Sequence, residues 1–573
     1  MIRTQILSTI ALLLMAFCGP QSIAQEPHNP EISVAHKGVK QLKEDIKFFL
    51  DLVESEQRHW DNWEGMIEFL VFGLDFERPL RIDILSGLTP PPIMIYGPYT
   101  VPVEDLRDEN IGAEYVLQER SETLHEMLPT EQGWFRILPA QKYAILAPST
   151  PKNHDLLKQL ILKAGNPVPV ITKILDGEAN VGIQLANATE SEEDLKKRRA
   201  SFAEIRAVHM DSLQKRPEES QTEFELRKGA ASNNLNELER LMVESKVASA
   251  RAVLDKKAVT AKILFDGVGI PGTSMAKGIE MFNKQIDAFA TAVSPEGSAL
   301  SFRINHPIDD LRTKNTLSFI ELMRADVESR LAANTKMTAE QKEASLQLFD
   351  GIMTLVKDGV ASENLNGFIE AVPNESNQFV SHGAIVVKDA KRLDETLALI
   401  GKTGGDNEVT IGAETVGDVT IHKVKLGKGF LKLFDDVFGE EAEILIGTSE
   451  DKVWFGSGPN ALPALKAGIE ALKEPAESDV ILRSTMQALP WAKRAEKLMK
   501  DLAPPKTLDG QQKRRDQLLR LTQAIETLKE EDDDITFDVA VADGRVSGEI
   551  FFNSGLLRFV GTQLVTFSTE NLE

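Results

Sequence analysis

The sequence predicts an α+β protein made of two similar modules, each an antiparallel or mixed sheet with helical hairpins packed beside it. Three observations carry this expectation. Residues Trp134–Thr150 (WFRILPAQKYAILAPST) and Ile444–Asn460 (ILIGTSEDKVWFGSGPN) align without gaps over 17 residues. Each reads as apolar strand, polar turn, apolar strand and a Gly/Pro/Ser/Thr break, followed by an amphipathic helix at 151–164 or 461–473. Lys142 and Lys452 are the one identity, so the likeness is one of pattern and order. Elements around the two anchors recur in similar order, which places the modules at 30–295 and 296–573. At 573 residues the chain exceeds what one core supports, while 42% apolar and 27% charged residues mark it as globular.

In chain order, Val39, Leu42, Ile46, Phe49 and Val53 step 3-4-3-4 and predict a helix over 34–56. A second helix runs through Trp60, Trp63, Ile67 and Leu70, and 80–85 is a strand. Thr89–Pro102 holds five prolines with Tyr96 and Tyr99. Proline stiffens this stretch, so it reads as an insulated edge strand or as an aromatic contact surface. A helix over 103–117 leads into the anchor hairpin 134–147. A strand at 179–185, helices at 190–214 and 234–253, a strand at 259–265 closed by Asp266-Gly267, and a helix at 275–290 complete the first half. His209 falls on the buried stripe of the helix 190–214.

The second half opens with a strand at 300–304, then helices at 317–331 and 338–356. Thr338 and Gln341 form a capping pair at the start of the latter. Strands at 367–372 and 383–388 and a helix at 391–400 follow. The hairpin strands 408–412 and 418–425 have no evident partner in the first half. After the second anchor come a strand at 480–483 and helices at 489–502 and 511–530. Asp543-Gly544 is a type I′ turn signature. It sets Val541–Val546, Val539–Gly548, Phe537–Ile550 and Ile535–Phe552 opposite one another.

Residues 1–24 have the pattern of an export signal: Arg3, an apolar run from Ile6 to Phe17, and small residues at Ser22 and Ala24. Cleavage between Ala24 and Gln25 would release a soluble, exported chain without a transmembrane segment. A lipoprotein reading on Cys18 is disfavoured by Phe17 directly before it. Cys18 is the one cysteine, so the mature chain has no disulfide, thiol nucleophile or Cys–metal site. A net charge of −23 without a Lys/Arg field argues against nucleic-acid binding and against adhesion to an anionic lipid surface.

Motifs for chemistry are sparse. Gly456-Ser457-Gly458-Pro459-Asn460-Ala461 has dinucleotide-type spacing, but it follows a hairpin arm, and the other anchor has no glycine there. Ser149, Thr150, Ser457 and Asn460 therefore read as helix N-cap clusters. Gly401-Lys402-Thr403 ends a helix instead of opening one. The histidines lack zinc spacing, and Asp532-Asp533-Asp534 lacks the alternation of a calcium loop. No catalytic residue, metal or cofactor is assigned.

Val386–Leu393 (VVKDAKRL) and Val453–Leu465, with looser copies at 101–106 and 143–156, give strand-to-helix units after a signal segment. This layout resembles secreted bacterial proteins of unknown function with a duplicated α+β module. The resemblance implies no catalytic residues. The expected function is a non-enzymatic periplasmic or surface binding protein, its partner an envelope protein or polymer, with Tyr96 and Tyr99 in the contact site. Two other classes fit the same sequence: a hydrolase with a dispersed Ser/His/Asp or carboxylate site, and a carrier for a lipid-like ligand. Converging Ser, His and acid groups would favour the first, an apolar cavity the second.

Overall fold

The computed structural model describes residues 31–572 except 71–72, 86–91, 112–114, 129–132, 152, 188–189, 283–284, 293, 362–363, 405, 427–431, 440–441, 503–504, 506 and 530–531. The fold is mixed α+β with antiparallel strand pairing. The chain falls into two compact units, each discontinuous in sequence. Unit 1 holds residues up to Gln214, Leu235–Ala276 and those from Leu556 on; unit 2 holds Lys215–Asn234 and Lys277–Gly555.

Unit 1 runs β1 (Glu31–His36), α1 (Val39–Leu52), α2 (Gln57–Leu70), β2 (Leu80–Leu85), β3 (Ile93–Pro98), β4 (Val116–Ser121), β5 (Leu124–Leu128), β6 (Gly133–Leu138) and β7 (Tyr143–Pro148). It continues through α3 (His154–Lys163), α4 (Val168–Leu175), β8 (Val181–Ala186), α5 (Glu192–Ser212), the end of α6 (Gln221–Glu239), β9 (Ser245–Asp255) and β10 (Thr260–Gly269). The strands order as β4-β5-β6-β7-β3-β2-β1-β8-β9-β10. Met94, Tyr96, Trp134, Tyr143 and Ile145 bury one sheet face against Leu157 and Ile161 of α3. The C-terminal helix Ser554–Asn571 closes the unit on α1 and α2. Trp63 stacks on Phe567 with centroids 5.3 Å apart, and its Nε1 donates to the Leu564 carbonyl at 3.2 Å. Gly561 lets the helices touch, because a Cβ there would lie 2.2 Å from the Phe49 carbonyl oxygen.

Unit 2 contains β11 (Gln285–Asp287), β12 (Leu300–Pro307), α7 (Asp310–Ala333), α8 (Ala339–Ala361), β13 (Asn364–Pro373), β14 (Phe379–Val386), α9 (Leu393–Leu397), β15 (Glu408–Val416) and β16 (Val419–Lys425). After these come α10 (Lys432–Phe438), β17 (Glu443–Thr448), β18 (Lys452–Gly458), α11 (Ala461–Ala471), β19 (Ala476–Ser478), β20 (Val480–Gln487), α12 (Ala488–Asp501), α13 (Leu508–Leu528), β21 (Asp534–Ala542) and β22 (Arg545–Phe552). Its main strands order as β15-β16-β17-β18-β14-β13-β12-β20-β21-β22, and β11 pairs with β19 alone. This is the unit 1 order with β12–β14 in the places of β1–β3, β15–β18 in those of β4–β7, and β20–β22 in those of β8–β10. Lys215–Asn234 packs on α7, where Thr222 donates to Asp326 at 2.8 Å and Arg330 pairs with Glu223 at 2.9 Å.

Both anchor hairpins form as expected, and the β21–β22 register matches all four expected pairs. Asp543 (φ 52°) and Gly544 (φ 69°) make that turn. The capping pair also forms, with Thr338 N–H donating to Gln341 Oε1 at 2.9 Å and Gln341 N–H to Thr338 Oγ1 at 3.2 Å.

Several elements depart from expectation. Val34–His36 belongs to a strand, not to the first helix. The expected helix 103–117 forms only over Val103–Ile111, α-helical and then π-helical, and Val116 already belongs to β4. The β4–β5 hairpin then occupies the place in unit 1 that β15–β16 occupies in unit 2. The expected helix 234–253 is the end of α6 followed by β9, because Val247–Val253 extends against β8 and β10. Asp266-Gly267 lies inside β10. The turn before it is set by the Asp255 carboxylate, which accepts from the Lys257 and Ala258 amides, both at 3.0 Å.

Candidate functional site

Two arrangements carry chemistry, one in each unit. In unit 2, α8 lies over the sheet face made by Leu365, Ile385, Ile446 and Val453. Between them, with Leu393 and Leu397 of α9 at one side, an apolar cavity of about 310 Å³ remains. Alternation explains the lining: Leu365 and Ile385 lie on the face opposite Phe368 and Ala384, which pack under α11. Asn364 is the one polar side chain among the described lining residues. Ile352 and Val356, one helical turn apart on α8, also line the cavity and are each 39% exposed. An open groove along α7 begins close by in sequence, at Asp310 and Lys357, and includes Lys314, Leu317 and Glu321. Lys357 Nζ donates to Glu321 there at 2.8 Å.

In unit 1, the β4–β5 hairpin and the start of α3 bring four polar side chains into a row. Arg120 donates to Glu126 Oε2 through Nε at 2.7 Å and Nη2 at 2.5 Å. Glu126 Oε1 lies 3.3 Å from His154 Nε2, and His154 Nδ1 lies 2.9 Å from Ser149 Oγ. The Trp134 ring lies against the imidazole, centroids 4.6 Å apart, and its Nε1 donates to the His154 carbonyl at 2.9 Å. Glu126 is buried, whereas Ser149 is partly exposed.

Other buried polar groups serve the fold. Glu370 accepts from Ser301 at 2.7 Å, Ser298 at 3.0 Å and Ser294 at 3.1 Å. Burial pushes its carboxyl up, against the opposing pull of these hydroxyls. Asp533 accepts from the backbone N–H groups of Ala488 and Leu489 and so caps α12. Gly458 (φ 114°) lets β18 approach β14, since a Cβ would lie 2.3 Å from the Phe379 carbonyl oxygen. Close strand packing accounts for that glycine.

The residues expected to form sites are mostly dispersed. Tyr96 and Tyr99 are 4% and 6% exposed, and each packs in an apolar cluster, so they offer no contact surface. The Tyr96 ring faces the core beneath Arg81. Ser149 and Thr150 precede the helix; the N-cap of α3 is Asn153, whose Oδ1 instead accepts from the Thr150 N–H at 2.6 Å. Ser457 lies in β18 and bonds Ser381 at 2.7 Å. Asn460 does occupy an N-cap, in the left-handed region, but its side chain makes no capping bond. His209 is exposed, whereas Phe202, Ile205 and Met210 of the same helix pack with Leu235 and Val243. Cys18, Ala24 and Gln25 lie outside the described residues. Glu126 and Arg120 lie in a hairpin between the expected helix 103–117 and the anchor hairpin, a stretch for which the sequence predicts no element. Leu124-His125-Glu126-Met127-Leu128 does not alternate, so its local pattern gives no clear strand signal.

Comparison with protein-family models, curated proteins and solved structures returned no match. Among the described residues no helix is long and apolar enough to cross a membrane.

Proposed function

We propose that the protein is an extracytoplasmic binding protein for a single-chain amphiphile, with the acyl chain held in the unit 2 cavity. The observation that supports this reading is the apolar space under α8, whose volume lies at the lower end of ligand-binding pockets. The partly exposed Ile352 and Val356 provide an apolar entrance, and Lys314 and Lys357 in the nearby groove are suitable cations for an anionic head group. The shared strand order fits two copies of one module, and the first 24 residues fit an export signal. Burying about eight methylenes at ~0.8 kcal/mol each corresponds to a Kd on the order of tens of micromolar.

Titration with cis-parinaric acid, a fluorescent fatty acid, tests this reading. Saturable binding in the micromolar range is expected, with competition by lauric acid. Fluorescence that rises without saturation, or is unaffected by lauric acid, would refute it.

A further inference from the structure

We propose that the Glu126–His154–Ser149 row of unit 1 is an ester-hydrolysing site, with Ser149 as nucleophile and His154 as its base. It rests on no part of the unit 2 cavity. Ser149 Oγ is within direct proton-transfer reach of His154 Nδ1, at 2.9 Å. Glu126 Oε1, 3.3 Å from Nε2, faces the nitrogen that carries the proton when Nδ1 accepts from the serine hydroxyl. The roles are those of a serine hydrolase triad with the imidazole nitrogens exchanged.

Each member is held in place. Arg120 occupies Glu126 Oε2, which leaves Oε1 for the imidazole. The Trp134 ring covers one face of His154, and its indole N–H fixes the His154 backbone. His154 is itself the first residue of α3. The first turn of a helix carries N–H groups without intrahelical acceptors, and its dipole favours an oxyanion formed nearby. The burial gradient also suits the chemistry, with the carboxylate inside and the hydroxyl towards solvent.

The substrate class is small carboxylic esters. Ser149 Oγ attacks the carbonyl carbon as its proton passes to His154 Nδ1. The tetrahedral adduct collapses by breaking the bond to the alcohol oxygen, which leaves with the proton from Nδ1. Water then attacks the acyl-serine and gives a proton to Nδ1. The carboxylic acid departs as that proton returns to Ser149 Oγ.

The full folded chain is treated with a fluorophosphonate probe, and the adduct is mapped by peptide mass spectrometry. Labelling of Ser149 is expected, at a rate that rises with pH through one titration. Hydrolysis of p-nitrophenyl acetate should fall by at least ~10²-fold in Ser149→Ala, a variant whose fold is checked by its melting temperature. An unlabelled Ser149 in a chain that melts normally, label at other residues only, or an unchanged rate in Ser149→Ala would each overturn the proposal. His154→Gln should also abolish labelling. If that variant does not fold, the wild-type pH profile decides, and a flat profile refutes His154 as the base.

Discussion

Replacing Gly359 probes the cavity under α8 directly. A Cβ built at Gly359 meets nothing within 4 Å, and the residue lines the apolar space of about 310 Å³. Glycine within a helix costs about 0.5–1 kcal/mol relative to alanine, so Gly359→Ala should gain stability, at the low end because α8 ends at Ala361. Gly359→Leu adds a side chain whose burial contributes about 1.5–3 kcal/mol, less about 0.5–1 kcal/mol of lost rotamer freedom. For a unit of about 300 residues the entropy of unfolding is roughly 0.6 kcal/mol/K. A net gain of about 2 kcal/mol then raises Tm by about 3 °C, and alanine raises it by about 1 °C. Scanning calorimetry gives the Tm values, and cis-parinaric acid titration reads occupancy in the same variants. Alanine should leave binding nearly intact, whereas leucine should weaken it at least ~10-fold while stabilising the fold. If leucine lowered Tm, the space would not be open at that position. If leucine stabilised the fold and binding stayed the same, the ligand would lie elsewhere.

Gly561→Ala should destabilise unit 1 despite better helix propensity, since its Cβ would press on the Phe49 carbonyl oxygen of α1, which cannot yield cheaply. A loss of about 1–3 kcal/mol is expected in urea unfolding, and an increase in midpoint would refute the close helix contact. His306 gives the fold an acid limit: burial, reinforced by the Arg312 guanidinium and only partly offset by hydrogen bonds to the backbone of Pro307 and His306 and by Asp309, pushes its pKa down to about 4. Below the ordinary value of 6.5 the unfolded chain takes up a proton that the folded chain does not. This contribution is therefore complete above pH ~6.5 and falls away towards pH ~4, by up to about 3 kcal/mol. His36, His125 and His382 are pushed down by burial as well and act in the same direction. His306→Gln should flatten the fall in stability between pH 7 and 5, and equal slopes in variant and parent would show that His306 does not supply it.

The amino-acid sequence by itself determined the elements whose pattern is local. Alternation and the Asp543-Gly544 turn set the β21–β22 register residue by residue, because a hairpin needs only its own two strands and turn. The capping pair at Thr338 was legible for the same reason. Tertiary structure decided what depends on distant partners. Val247–Val253 is extended because β8 and β10 flank it, although its apolar spacing also suits a helix. Tyr96 and Tyr99 are covered by clusters drawn from other strands, a property that a proline-rich stretch does not encode locally. Glu126 meets His154 and Ser149 because β5, β6 and β7 pair side by side and α3 folds back on them, which brings Glu126 to residues more than twenty positions away. The unit 2 cavity exists because α8 and α9 cover the sheet without filling the space beneath them. Side-chain volumes alone cannot announce such a gap, since it depends on how far apart the packed backbones come to rest.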